Sequence, residues 1–172
     1  MMSELADWLS ESPVREFAAN LLSSIPGLPP VLQTVHLLSI VAIMASIVII
    51  DLRILGVAVP SQDIAEMVAR LSSWTLGGVV AAASSGVWFI LARPGRYFSN
   101  PVFQIKFGLL AAALILTFVF YRWSASEINI WHGAGRRAAI AKAYALVSLL
   151  LWLGVVMAGR WIAYSEYLFW PE

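Results

Sequence analysis

Four stretches of this chain are each about twenty residues long and predominantly apolar: 31–50, 74–92, 102–121 and 143–164. That length matches the ~20-residue helix that crosses the hydrocarbon core of a bilayer. In lipid the backbone N–H and C=O groups must be satisfied within a helix or around a closed barrel, and the alternation of barrel strands is absent here. The expected fold is therefore all-α: an integral membrane four-helix bundle, forming one membrane domain over residues 1–172. Punctuation agrees with these limits. Pro29-Pro30 precede the first run, and Asp51 with Arg53 follow it. Arg93-Pro94-Gly95 stop the second, Arg122 ends the third, and only Arg160 interrupts the fourth.

Composition supports lipid as the solvent. Only 12% of residues are charged and 60% are hydrophobic, whereas soluble domains carry roughly a quarter charged residues to cover their surface. Trp74, Tyr121, Trp123 and Trp131 are expected to mark one bilayer face. Trp88, Tyr97, Trp161, Tyr164, Tyr167 and Trp170 are expected to mark the other, because amphipathic rings settle at headgroup level. Cysteine is absent, which excludes disulfides, thiolate metal sites, iron–sulfur clusters and cysteine nucleophiles together. The net charge of +1 and dispersed acids speak against nucleic acid as a partner. Glu4 and Asp7 stand where a signal peptide has its basic stretch, so no cleavable signal is expected.

Residues 1–30 read as an interfacial segment. Ser12-Pro13 has the form of an N-cap with a first-turn proline, and Val14, Phe17, Ala18, Leu21 and Leu22 recur at helical spacing. This pattern predicts an N-terminal amphipathic helix lying along the membrane surface. Residues 61–71 look similar, with Ile64, Val68 and Leu71 opposite Asp63, Glu66 and Arg70. Basic residues bias the orientation. Arg53, Arg70, Arg122, Arg136, Arg137 and Lys142 lie on the side of the first and third connections. Positive-inside logic puts that side in the cytoplasm and both termini in the periplasm of a bacterial inner membrane.

Gly78, Ala82 and Gly86 form a small-residue face that lets helix backbones approach closely. Ionisable groups within spans call for more explanation, since each costs about 2.5–3.5 kcal/mol on insertion scales. His36 lies one to two turns inside the first span, Lys106 one turn inside the third, and Arg160 one turn from the end of the fourth. In a chain that alternates direction all three fall at similar depth on one side. Together they suit an anionic group such as a propionate, a lipid phosphate or a carboxylate. The plainer readings are that Lys106 and Arg160 snorkel to the interface and that His36 bonds a neighbouring helix. An imidazole facing a bundle interior is also the common protein ligand of haem iron. His132 lies in the third connection, at the wrong depth to be a second ligand. Asp51 and Arg53 read as a local ion pair or a helix-end device. No nucleophile–base pair, paired acids or phosphate loop appears, so a hydrolase or kinase is not indicated.

His36-Leu37-Leu38, Asp51-Leu52-Arg53, Asn100-Pro101-Val102-Phe103 through Lys106, and the run from Ala158 to Tyr164 resemble an uncharacterised bacterial family of small four-helix membrane proteins. More distantly, His36, Arg53 and Lys106 match in order an early histidine, an arginine past the first helix and a lysine entering the third. That set is similar to HemJ-type protoporphyrinogen oxidases and CopD-type membrane domains. The resemblance implies a b-type haem with His36 as its metal ligand. Lys106, Arg160 and Arg53 are then candidate cofactor-binding residues. Those proteins often carry a further histidine where this chain has Tyr121, which speaks against ligation by two histidines. Two functions are therefore expected. One is a haem- or porphyrin-associated membrane protein in redox chemistry or haem handling, exchanging electrons with quinone. The other is a cofactor-free accessory subunit packed in a larger membrane complex; a homo-oligomer is a separate expectation for its partners.

Overall fold

A computed structural model describes residues 2–126 and 135–165. These residues form helices α1 (Met2–Ser10), α2 (Pro13–Ser24), α3 (Leu28–Leu55), α4 (Ile64–Ala92), α5 (Pro94–Phe98), α6 (Pro101–Ser126) and α7 (Arg136–Trp161), with a closing 3-10 turn at Ile162–Tyr164. No strand occurs among the described residues. Trp131, His132, Tyr167 and Trp170 lie outside them.

α3, α4, α6 and α7 are the helices long and apolar enough to cross a membrane. Each is longer than the apolar run that announced it. Polar residues such as Asp51 and Arg53 continue α3 rather than end it, because a helix satisfies its own backbone in lipid and at the interface alike. The amphipathic pattern at 61–71 is not a separate surface helix. Asp63 caps α4 by accepting from Glu66 N at 3.0 Å, and the chain runs on from Ile64 to Ala92 without a break. α3 ends where Gly56, at φ +80°, takes up the left-handed conformation that glycine tolerates. Val57 N then donates to Leu52 O at 2.9 Å.

The bundle runs up and down. α3 packs along α4, α6 along α7, and α3 also meets α7. Ile43, Ile47, Ala113, Trp152 and Val155 make one buried layer. A second, toward the α3–α4 connection, joins Ile50, Ile54, Ile64, Met67, Phe120 and Ala145. Outer faces carry exposed Leu37, Val41, Leu76, Ile115 and Leu150, the surface expected of helices that lipid covers.

The N-terminal helices begin as their sequence signals indicate. Ser12 caps α2 through Arg15 N, with Pro13 in the first turn. α2 lies against α4, and Phe17 meets Trp88 with ring centroids 6.3 Å apart. α1 packs on α5.

Candidate functional site

His36 sits on the inner face of α3, half-buried, where the small residues of α4 let the two helices close. Its Nδ1 is 2.9 Å from Ala82 O and 3.2 Å from Ser85 Oγ. A carbonyl oxygen only accepts, and Ser85 Oγ itself donates to Ala81 O at 2.6 Å. The proton in this contact is therefore assigned to His36 Nδ1. In the neutral ring that leaves the Nε2 lone pair free. Gly86 makes the approach possible: a Cβ there would lie 3.1 Å from His36 Cε1. One helical turn pair away, a Cβ at Gly78 would meet Ile43 Cγ1 at 2.7 Å and Ser39 O at 3.0 Å. The Gly78–Ala82–Gly86 face therefore seats α3, and part of what it seats is the imidazole.

Lys106 enters from α6. Its chain packs on the bare backbone of α7, with Nζ 3.5 Å from the position a Cβ would take at Gly159. Lys106 on α6 lies at the same end of the bundle as His36 on α3, near enough for its charge to act on the imidazole through space. Arg160, next to Gly159 in sequence, turns outward: it is exposed, and its Nη2 donates to Tyr164 Oη at 3.0 Å while the guanidinium lies 5.0 Å from that ring's centre. Arg53 is seventeen residues beyond His36 on the same helix, about 25 Å at 1.5 Å per residue. Its Nε donates to Gln62 O at 2.6 Å and braces the α3–α4 connection. Arg53 and His36 therefore do not share one site, and Arg53 does not pair with Asp51.

Asp51 is the polar group that sequence reasoning underrated. It is 1% exposed, one turn inside α3, and faces α6 and α7. Its Oδ2 is buried without a hydrogen-bond partner, as is Ser148 Oγ beside it. The available signal was its i, i+4 spacing from the inward-facing Ile47, which a span ending at Ile50 concealed. No cluster of three or more His, Asp or Glu residues suited to a metal occurs among the described residues.

Polar ties elsewhere are structural. Trp152 Nε1 donates to Thr117 Oγ1 at 3.2 Å, and Thr75 Oγ1 and Tyr121 Oη are 2.9 Å apart. Asn100 Oδ1 accepts from Val102 N at 2.9 Å, and its Nδ2 donates to Ser165 Oγ at 2.7 Å, fixing the start of α6 to the end of the chain's last described turn.

Four helices of this length and apolarity, packed up and down against one another, define a multi-pass helical membrane protein. The chain belongs to the family of unknown function DUF6644, whose model matches residues 27–165. No curated protein and no solved structure matches it significantly.

Proposed function

We propose that this protein binds a b-type haem or a related porphyrin within the bacterial inner membrane, with His36 as the iron ligand, and acts in redox chemistry or haem handling. The observation that supports this reading is the anchoring of His36 Nδ1 on Ala82 O. Ligating histidines almost always donate their other ring nitrogen to a carbonyl, carboxylate or water, which fixes ring orientation and tautomer. Here that fixed orientation leaves Nε2 free. The ordered match of His36, Arg53 and Lys106 to HemJ-type and CopD-type proteins points the same way.

The side chains fit such a group in part. Lys106, at the same end of the bundle as His36, would pair with a propionate. Arg160, held by Tyr164 at the outer surface, adds a second cation at similar depth. Arg53 belongs to the other end of the bundle. The void beside Asp51 has room for about one water, so a porphyrin held by His36 would have to lie on the lipid-facing side of the helices. Bound haem supplies one-electron redox chemistry at its iron, and a membrane quinone is the fitting exchange partner. His36 would hold the iron through Nε2, and Lys106 would offset propionate charge. The basic connections support a topology with both termini in the periplasm and α1 and α2 along that surface.

An optical spectrum of protein expressed with ample haem tests the reading. A Soret band that His36→Ala abolishes supports it, and a wild-type preparation without any Soret band sinks it. A second reading, a cofactor-free subunit of a larger complex, draws on an open groove of about 460 Å³ on the outer side of α3 and α4, floored by Gly77, Gly78 and Ala81. An apolar helix of a partner protein is its fitting occupant. Native mass measurement after gentle extraction separates the two readings: a chain that retains no partner removes the second.

A further inference from the structure

At the end of the bundle opposite His36, the interior holds an acid without a counter-ion. Asp51 is 1% exposed, and Oδ2 has no hydrogen-bond partner. Ser148 stands near enough from α7 to interact with the carboxyl and with the Tyr144 hydroxyl, yet its Oγ makes no hydrogen bond of normal geometry. Between α3, α6 and α7 lies a small void of about 10 Å³, lined by Asp51 with Thr117, Tyr121 and Tyr144 and the apolar Ile47, Ile50 and Phe120. That is the space of about one water. An orphan carboxyl oxygen at a water-sized void, with a second orphan oxygen on the neighbouring helix, is an incomplete hydrogen-bond network, and in native interiors such groups find a partner.

The groups facing the carboxyl are Ser148 and Tyr144 on α7 and Tyr121 on α6; none is cationic. α4 presents Thr75, already joined to Tyr121. Arg53, two residues along α3, is turned to Gln62. A naked carboxylate here would be an uncompensated charge in a medium of low dielectric constant, which interiors avoid. A hard metal cation is poorly served, because it takes about six oxygens or more. Of the oxygens at hand, Thr117 Oγ1 already accepts from Trp152 and Tyr121 Oη is bonded to Thr75. A proton needs no such shell.

We propose that Asp51 is a proton-binding site inside the bundle, its carboxyl holding an exchangeable proton beside Ser148 Oγ and one buried water. The reaction is carboxylate plus hydronium giving carboxyl plus water; one O–H bond transfers and no electron moves. The protonated carboxyl donates to Ser148 Oγ and accepts from the water, so both orphans are satisfied and α3 is tied to α7. This site lies fifteen residues from His36 on the same helix, about 22 Å away, and it does not depend on whether His36 holds haem.

Infrared spectroscopy of the full chain in phosphatidylcholine vesicles tests the proposal. The expected result is a protonated-carboxyl C=O band at neutral pH that shifts to lower frequency in D2O and is lost in Asp51→Asn. Ser148→Ala, which leaves the acid in place, is expected to move the band to higher frequency by removing its hydrogen-bond acceptor; this keeps the test open should Asp51→Asn fail to fold. The absence of any such band in the wild type overturns the proposal, as does a band unmoved by Ser148→Ala in folded protein. Conversion of the band to carboxylate when sodium chloride replaces choline chloride at fixed pH overturns it in favour of a sodium site.

Discussion

His36 Nδ1 on α3 lies 2.9 Å from Ala82 O on α4, a bond between residues far apart in sequence that exists because α4 has glycine at 78 and 86. The ring is held by a backbone atom, so its orientation depends on the helix pair and not on another side chain. His36→Ala is expected to abolish any Soret band while the chain still folds, at a cost of about 1 kcal/mol for the lost hydrogen bond. Circular dichroism melting beside the optical spectrum separates the two effects.

Adjacent glycines on α4 provide an internal control. At Gly78 an added Cβ meets Ile43 at 2.7 Å and the Ser39 backbone at 3.0 Å, whereas at Gly77 it meets nothing within 4 Å. Gly78→Ala is expected to destabilise the bundle by about 1–3 kcal/mol through overpacking. Gly77→Ala is expected to be neutral or to stabilise it by up to about 1 kcal/mol, from helix propensity. Thermal denaturation in one detergent compares them directly, and equal melting temperatures would contradict the packing seen here.

Gly86→Ala places a methyl 3.1 Å from His36 Cε1. The ring must shift by a few tenths of an ångström, lengthening its bond to Ala82. Haem retention is expected to fall in this variant although the ligand itself is unchanged. Spectral titration of the apoprotein with haemin reads that loss, and wild-type affinity in a well-folded variant would argue that the ring's seat is irrelevant.

Trp152 is 3% exposed and donates to Thr117 Oγ1 across the α6–α7 contact. Trp152→Phe keeps most of the apolar bulk but loses the N–H and leaves space behind. A loss of at least about 1 kcal/mol is expected, with Thr117→Val contributing little further in the double variant because both act on one bond. A double-mutant cycle of unfolding free energies gives the coupling.

Asn100 makes two separable contributions. Asn100→Asp keeps the cap on α6 through its oxygen but loses the donor to Ser165, while Asn100→Ala loses both. Alanine is expected to cost about 0.5–2 kcal/mol from the cap alone and more than aspartate overall. Unfolding of the two variants side by side checks the order.

The membrane character and the four crossings could be read from the chain because lipid imposes a one-dimensional rule: about twenty apolar residues, with backbone groups satisfied locally. The Ser12 cap and the Gly78–Ala82–Gly86 face were legible for the same reason, since spacing along one helix fixes which residues share a side. Helix limits were less so. Asp51, Arg53 and residues 61–71 are polar, and polarity alone does not distinguish a helix leaving the hydrocarbon from one that buries an acid.

Sequence therefore determined that this protein is a bundle in a bilayer, with His36, Lys106 and Arg160 near one end. Only the tertiary structure decided what each does there. It turned Arg160 out to Tyr164 and packed Lys106 on Gly159, although the two α7 residues are adjacent, because a step of one residue rotates a side chain about 100° around its helix. It also moved Asp51 from a helix end to a buried pocket facing Ser148 and Tyr144, since which residue of α7 meets α3 depends on how the helices pack and is written in no single stretch of the chain.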